Sequence, residues 1–267
     1  MKKALIEGVA IEVSRIGFGT AGLHNTFSTK LRHNLLRAAI NSGITHFDTA
    51  PYYGYGLAES DLGHVINGRR INYTLSTKVG LYPRGGISGN VYSLWCRKLG
   101  GKLFPKISQP NTDWAIDRAR SSLYDSLKRL KTDYIDFLFL HEPEFSSVGS
   151  DEMLYWLESE KVKGTIRAWG LAGIDGCVSP WMHLGHKLAQ VVQTKDSIDH
   201  NEADFVHSMD RNLQFTYGYF SSARVRNPEL SAQVVMRHAL DRNTTGSIII
   251  SSNTPVHIKQ LAKLAGD

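Results

Sequence analysis

Four side chains capable of acid-base chemistry lie close to the ends of strand-like segments. Asp48 ends the apolar run in "THFD", Lys78 comes near the end of "LSTKV", and His141 ends "FLFLH". Tyr53 follows Asp48 by five residues, in the Pro- and Gly-rich turn "APYYGYG". Because the carboxyl ends of parallel strands meet at one edge of a sheet or barrel, polar side chains there can converge on a site. We expect these four side chains to share one rim.

Together the four residues have the composition of a proton-donating device. A free tyrosine titrates near pH ~10, so Tyr53 needs a neighbour that stabilises its phenolate if it is to act as an acid. Lys78 could provide that positive charge, and Asp48 would keep a buried lysine charged. His141 could either orient a substrate carbonyl through a ring N–H or relay a proton to Tyr53. The set suits polarising a carbonyl group and protonating the alkoxide that forms.

Each of these residues also has a purely structural interpretation. An Asp-Lys pair at strand ends can be an ordinary ion pair, a single histidine can be a hydrogen-bonded rim residue, and tyrosines beside Pro and Gly often pack within turns. Their occurrence at three consecutive strand ends favours the chemical interpretation. A nucleophile beside a base, or a third metal ligand at useful spacing, is not evident, so we expect no metal site.

Alternation of apolar periodicity predicts eight strand-helix units. The predicted strands cover residues 14–20, 45–50, 73–79, 133–142, 166–173, 189–195, 213–220 and 246–252. The predicted helices cover residues 28–43, 58–68, 111–131, 150–164, 179–188, 201–212, 228–243 and 254–266. This order predicts an α/β fold, a single (β/α)8 TIM barrel that occupies residues 1–267 as one domain.

Local signals refine this barrel prediction. The segment "ALIEGVAIEV" predicts a short N-terminal β-hairpin that closes the barrel bottom, with the turn near Glu7 and Gly8. Ser28 and Asn111 are expected as helix N-caps, Thr254 precedes a proline at a helix start, and Gly43 and Gly164 follow helices. Residues 80–110 interrupt the pattern and are rich in Gly and aromatic residues, as functional loops often are.

A dinucleotide-binding Rossmann domain is the main competing fold. "GFGTAG", residues 17–22, matches G-x-G-x-x-G and follows a strand, and Asp48 ends the next strand. However, "LHNTFST" separates the last glycine from the following helix, so a pyrophosphate would lack the helix N-terminus that binds it. The glycines therefore favour the barrel interpretation over the Rossmann one.

Composition and charge argue against a nucleic-acid-binding or membrane-spanning protein. The 267 residues are 42% hydrophobic and 21% charged, as in an ordinary globular protein. The net charge of +6 is spread without basic runs, which argues against nucleic-acid binding, and no apolar run approaches the ~20 residues of a membrane span. With only two cysteines and no signal-peptide pattern, we expect a cytoplasmic protein without disulfides or a zinc cluster.

The segments "FDTAPYYGYGLAESDLG", "STKVG", "SLKRLKTDYIDFLFLHEPE" and "IRAWGLAG" resemble the aldo-keto reductase family, in the family's order and over nearly the whole chain. The resemblance implies that Asp48, Tyr53, Lys78 and His141 form the catalytic tetrad, with Tyr53 as general acid. It implies an oxidoreductase that transfers hydride between a nicotinamide cofactor and an aldehyde or ketone, reversibly toward oxidation of an alcohol or sugar lactol.

The same resemblance implies a set of cofactor-binding positions. Besides Asp48, these are Gly19, Thr20, Gln193, Tyr217, Ser251, Ser252, Asn253 and His257. The family usually places a Ser-Asn pair after strand five, where this chain has Ala172 and Gly173. Strongly NADP-specific members place Lys and Arg where this chain has Ser251 and His257, and the resemblance still favours NADP(H) over NAD(H).

The substrate site is expected to be open, because the segment "SSARVR" is short and the sequence given stops directly after the last helix. We expect weak cofactor retention, with residues 80–110 supplying most contacts to a small carbonyl or alcohol substrate. Candidate pocket walls are Tyr52, Tyr55, Tyr82, Trp95 and Phe104. The trimmed loops leave an alternative function open, a cofactor-binding regulatory or partner subunit with vestigial turnover. Substrate identity and oligomeric state are not predicted.

Overall fold

The eight predicted strands form a closed barrel in the computed structural model, which describes residues 1–84, 86 and 110–266. Each barrel strand runs parallel to both of its neighbours. In barrel order the strands are β3 (Ile16–Gly19), β4 (His46–Asp48), β5 (Thr74–Val79), β8 (Ile135–His141), β9 (Ile166–Gly173), β10 (Val191–Lys195), β11 (Phe215–Tyr217) and β12 (Ser247–Ile250). The predicted barrel is therefore confirmed.

Helices surround the barrel and connect its strands. They are α1 (Thr29–Asn41), α2 (Leu57–Ile66), α3 (Ile116–Leu130), α4 (Ser150–Val162), α5 (Asp175–His183), α6 (Asp204–His207), α7 (Tyr219–Arg226), α8 (Ala232–Arg242) and α9 (Pro255–Leu264). Ser28 caps α1 by accepting a hydrogen bond from the Leu31 amide, as predicted. Gly43 and Gly164 follow α1 and α4 with φ of 82° and 78°, the left-handed conformation that ends helices.

The predicted N-terminal hairpin is also confirmed and closes the barrel at its lower end. Strands β1 (Lys3–Ile6) and β2 (Ile11–Ser14) pair antiparallel around a turn at residues 7–10. Ile6 and Ile11 pack against Phe137 and Phe215 inside the barrel. The hairpin thereby seals this end, and the carboxyl ends of the strands form the open end.

Side-chain alternation along β8 separates the two layers of the core. Phe137 and Phe139 lie inside the barrel in one cluster, whereas Leu138 and Leu140 belong to the larger cluster between the barrel and the helices. This period of two places His141 on the inward face at the upper rim. The strand pattern itself thus aims a polar side chain at the centre of the open end.

Two local predictions are wrong. Asn111 does not cap a helix, because residues Pro110–Thr112 form strand β7, which pairs antiparallel with β6 (Leu81–Pro83), and α3 begins only at Ile116. The predicted strand over residues 213–220 ends at Tyr217, because Gly218 takes φ of 105° and starts helix α7, which was not predicted. The reversal at Gly218 brings "SSARVR" back over the barrel rim.

Two predicted helices also differ in extent. The segment predicted at 179–188 begins earlier, at Asp175, and contains Pro180, while only Asp204–His207 of the segment at 201–212 is α-helical. Among the described residues, no helix is both long enough and apolar enough to cross a bilayer.

Candidate active site

The four predicted acid-base residues meet at the carboxyl end of the barrel. Asp48 ends β4, Lys78 lies one residue before the end of β5, and His141 ends β8. With Tyr53, all four line one cavity of about 550 Å³. The sequence prediction that they share a rim is thus matched by their positions.

Asp48 and Lys78 form a buried ion pair at the floor of this cavity. Lys78 Nζ lies 2.8 Å from both carboxylate oxygens of Asp48 and 3.0 Å from the Thr49 carbonyl oxygen. Ser76 and Gln193 also donate hydrogen bonds to Asp48 Oδ1, at 2.7 and 3.0 Å. Burial opposes ionisation, but the Lys78 charge and these hydrogen bonds outweigh it and lower the pKa of Asp48 below its ordinary value.

Tyr53 lies between this ion pair and His141. Lys78 Nζ is 4.8 Å from the centroid of the Tyr53 ring, within cation–π range. The rings of Tyr53 and His141 meet edge to face, with centroids 6.0 Å apart and planes at 88°. The three side chains therefore form one contiguous surface on which a carbonyl oxygen could be held.

The unusual turn after Asp48 explains how Tyr53 reaches this position. Gly54, Tyr55 and Gly56 all have positive φ, at 61°, 57° and 86°, so the chain reverses tightly just after Tyr53. A methyl group on Gly54 would lie only 2.7 Å from His24 Cβ, which adds a packing reason for glycine. The glycines in the sequence "YYGYG" therefore allow a left-handed turn that directs Tyr53 inward.

Burial determines the protonation states of the two proton-carrying side chains. Burial raises the pKa of Tyr53 well above 10, and the charges of Asp48 and Glu142 act in the same direction. Burial lowers the pKa of His141 to about 3, with Lys78 adding to the shift. At neutral pH Tyr53 thus carries its proton and His141 is an uncharged imidazole.

The raised pKa of Tyr53 is opposite to the prediction from the sequence, in which Lys78 stabilises the phenolate. Lys78 is held symmetrically by both oxygens of Asp48, so the two charges largely cancel at Tyr53. Loss of hydration then dominates and favours the neutral phenol. In this state Tyr53 keeps its proton and could donate it.

Several predicted cofactor residues lie on the same cavity. Gly19, Gln193, Tyr217 and Ser251 line it, on the ends of β3, β10 and β11 and just after β12. Ser251 Oγ donates to the Gly19 carbonyl oxygen at 2.8 Å, which ties two of these strand ends together. Gln193 Nε2 donates to Asp48 Oδ1, whereas Gln193 Oε1 is buried and has no hydrogen-bond partner among the described residues.

The remaining predicted cofactor residues lie off the cavity wall. Thr20 is fully buried, and its hydroxyl hydrogen-bonds to the Asp48 carbonyl oxygen and to Thr49, so it supports the wall from behind. Ser252, Asn253 and His257 lie beyond Ser251 at the start of α9, where Ser252 Oγ accepts from the Thr254 amide at 3.1 Å. His257 is exposed.

The predicted substrate walls are only partly on the cavity. Tyr52 lines it, but Tyr55 is buried within the left-handed turn, and Tyr82 is buried in β6 with Arg118 stacked 4.7 Å from its ring centroid. Tyr55 and Tyr82 are therefore packing residues and not walls of this cavity. Trp95 and Phe104 lie outside the described residues, as does most of the loop at 80–110.

Other cavity residues were missed by sequence reasoning. Glu142 follows His141 at the rim, and Phe220, Ser221 and Arg224 reach the cavity from α7. The signal for α7 was present in Gly218, which punctuates "TYGYF", but the tyrosines around it favoured a strand prediction. Glu142 carries no periodicity signal of its own.

Comparison with known proteins agrees with this geometry. A model described as the "Aldo/keto reductase family" matches residues 15–193. The chain belongs to the aldo/keto reductase family. Relatives include L-galactose dehydrogenase of Arabidopsis thaliana, 30% identical over 172 residues (61% of this chain, 46% of that protein), and D-threo-aldose 1-dehydrogenase of Pseudomonas sp, 29% identical over 185 residues (64% and 53%). The chain spans about half the length of the curated relatives it matches.

Solved structures support the same fold for this aldo/keto reductase. The holo form of an aldo-keto reductase from Bacillus halodurans superposes with a TM-score of 0.77 at 19% identity, covering 100% of this chain and 91% of that one. An aldo-keto reductase from Klebsiella pneumoniae in complex with NADPH gives a TM-score of 0.68 at 20% identity, with coverage of 100% and 91%. At these identities the likeness establishes the barrel fold.

Proposed function

We propose that this aldo/keto reductase reduces an aldehyde or ketone with NAD(P)H, and can run the reverse oxidation of an alcohol or sugar lactol. The observation that carries the proposal is the buried Asp48–Lys78 pair beneath a neutral Tyr53, with a neutral His141 at right angles to the Tyr53 ring. This arrangement offers two uncharged donors, a phenol and an imidazole, to one substrate oxygen. It offers no nucleophile to the carbonyl carbon.

The cavity suits a nicotinamide cofactor. Gln193 Oε1, a buried acceptor that no described residue satisfies, could accept from the carboxamide N–H, and Tyr217 on the same cavity could pack against the nicotinamide ring. Ser221 and Arg224 on α7, with Ser251 before α9, provide polar and positive groups for phosphates. When bound, the reduced nicotinamide supplies the hydride. The positive charge of Arg224 on α7 favours NADP(H) over NAD(H).

In the reductive direction Tyr53 donates its proton to the carbonyl oxygen as that oxygen becomes an alkoxide. The proton is retained by burial until a strong base such as the alkoxide forms. His141, uncharged, orients the same oxygen by a ring N–H without competing as an acid. Lys78, held by Asp48, packs against the phenol with its Nζ 4.8 Å from the ring centroid, and so helps to fix the position of the Tyr53 hydroxyl.

The test is Tyr53→Phe, which removes only the hydroxyl. We expect the variant to lose ~10²- to 10⁴-fold in kcat for aldehyde reduction, the usual size of general-acid catalysis, while its Kd for NADPH stays within about twofold of wild type. Kd is measured by fluorescence titration and kcat by NADPH oxidation. Wild-type turnover in the variant would remove the mechanism. Tight NADPH binding without turnover in wild type would favour the regulatory-subunit alternative.

A further inference from the structure

Glu142 places a negative charge at the substrate end of the cavity. It lines the cavity directly after His141, and its carboxylate is exposed. Within residues 1–84, 86 and 110–266, the Glu142 carboxylate forms no hydrogen bond or ion pair, whereas the Asp48 carboxylate is fully occupied by Lys78, Ser76 and Gln193. An unpaired carboxylate on the wall of a cavity is free to accept hydrogen bonds from a bound molecule.

The backbone holds Glu142 in a fixed and costly conformation. Its φ is 53°, in the left-handed region that Gly and Asn adopt more readily, and its amide donates to the Ala172 carbonyl oxygen at 2.7 Å. A methyl group on Gly173 would lie 3.4 Å from Glu142 Cα, so the turn is seated tightly against β9. Such conformations are strained and concentrate at functional sites.

The charge of Glu142 acts on the cavity walls. Tyr52, Tyr53 and Tyr217 line this cavity, and burial is the main cause that raises the pKa of each phenol. The negative charge of Glu142 raises the same three pKa values further. Two positively charged residues line the described cavity, Lys78, which is paired with Asp48, and Arg224, which lies on α7. The cavity is therefore divided, with the positive group beside α7 and the unpaired negative group beside His141.

From this division we propose that Glu142 is a specificity-determining residue. It favours carbonyl substrates that present hydroxyl donors or a positive charge, and it disfavours substrates that carry a second anionic group. The proposal rests on the proposed function and deepens it, because it names the class of substrate that the site accepts.

The experiment compares four para-substituted benzaldehydes that differ in charge and hydrogen bonding. These are the trimethylammonio, hydroxymethyl, methyl and carboxy compounds. Each is assayed for kcat/KM with wild type and with Glu142→Gln, so that intrinsic reactivity cancels in the ratio. Glu144→Gln is the matched control, because Glu144 lies two residues further on the same segment and does not line the cavity.

We expect Glu142→Gln to lower kcat/KM for the cationic aldehyde about three- to fivefold and to raise it for the carboxylate by a similar factor, the range of exposed charge pairs. All changes are taken relative to the methyl compound, because an altered Tyr53 affects the four aldehydes alike, and the hydroxymethyl compound falls about twofold as one neutral hydrogen bond weakens. Glu142→Lys should enlarge both charge effects. Equal ratios for all four aldehydes, or the same changes in Glu144→Gln, would overturn the proposal.

A binding measurement separates this proposal from the proposed function. The Kd values of benzyltrimethylammonium and of benzoate are measured by NMR titration with wild type and Glu142→Gln, without any turnover. A charge preference that disappears in Glu142→Gln supports the proposal even if no aldehyde is reduced, an outcome that would defeat only the reductase assignment. The absence of any preference in wild type overturns the charge selection itself.

Discussion

Two buried aspartates at opposite ends of the barrel form ion pairs of two different kinds. At the lower end Asp136 accepts hydrogen bonds from Arg70 at 2.6 Å, from Arg167 at 2.7 Å and from the Leu75 amide at 2.8 Å. At the upper end Asp48 is paired with Lys78. Arginine is a permanent fork that fits a carboxylate, whereas lysine is a single charge that can lie against a second group. Lys78 lies against the Tyr53 ring, which lines the cavity, whereas Arg70 lies 4.0 Å from the centroid of the Tyr134 ring, which does not line it.

Two buried histidines extend the comparison between the ends. His46 lies inside the lower barrel, packed 4.9 Å from Phe215 and 5.8 Å from Phe137 between ring centroids, and burial lowers its pKa to about 4. His141 has a similarly lowered pKa at the upper end. Each has one buried ring nitrogen to which no residue in the described part of the chain hydrogen-bonds. The hairpin seals the end that holds His46, and a cavity opens beside His141, so access and not burial decides which histidine can act.

The two ends of the barrel can be compared directly by replacing one aspartate at each end and measuring kcat. Asp48→Asn and Asp136→Asn are isosteric and each removes one buried carboxylate. We expect Asp48→Asn to lose ~10²- to 10⁴-fold in kcat, because Lys78 loses its counterion beside Tyr53. We expect Asp136→Asn to keep kcat within about twofold, because Arg70, Arg167 and Leu75, which hydrogen-bond to Asp136, do not line the cavity.

Both aspartate variants should lose stability, because each leaves buried cationic partners unpaired. We expect the free energy of unfolding in urea to fall by about 3–5 kcal/mol for Asp48→Asn, whose partner Lys78 is buried, and by less for Asp136→Asn, whose arginines can reach solvent. If Asp136→Asn lost turnover as Asp48→Asn does while remaining folded, the distinction between the two ends would be wrong.

The two buried histidines should also affect how the free energy of unfolding depends on pH. His46 and His141 have pKa values of about 4 and about 3 in the folded chain, below the ~6.5 of an exposed histidine in the unfolded chain. Between pH ~4 and ~6.5 the unfolded chain therefore binds more protons, so the free energy of unfolding falls as pH is lowered through this window, by roughly 1 kcal/mol per pH unit for each histidine.

His46→Leu should remove one of these two contributions and about halve the slope between pH 6.5 and 4.5, measured by urea denaturation at each pH. The replacement leaves Thr74 with its hydrogen bond to the Thr45 carbonyl oxygen. A variant at the exposed Val234, which removes no titratable group, serves as the control and should keep the wild-type slope. A His46→Leu slope equal to wild type would contradict the burial argument for the lower end.

The sequence predicted the barrel because each strand and helix carries its own periodicity, and β8 is an example. The alternation of Phe137 and Phe139 with leucines specifies both the strand and the inward aim of His141. The four acid-base residues could be found for the same reason, since strand ends fix their position. The hairpin was likewise encoded locally by Glu7 and Gly8 between two alternating runs.

The parts that escaped prediction depend on non-local packing. Helix α7 forms after Gly218, whose conformation is set against Lys195 and Asp196, residues that lie far away in the sequence. Tyr55 and Tyr82 resemble pocket aromatics in the sequence, yet tertiary contacts bury both. The pKa shift of Tyr53 also depends on the two equal contacts between Lys78 Nζ and the Asp48 carboxylate oxygens, which residue spacing in the sequence cannot predict.

The central claim, that the upper rim is a nicotinamide-dependent site, is tested most directly by a fluorescence titration. The quenching of the five tryptophans is followed as NADPH, and separately NADH, is added to the purified protein. We predict saturable quenching by both cofactors, at lower concentration for NADPH. If neither cofactor binds at concentrations up to millimolar, Tyr53 has no hydride source beside it, and the reductase assignment is contradicted.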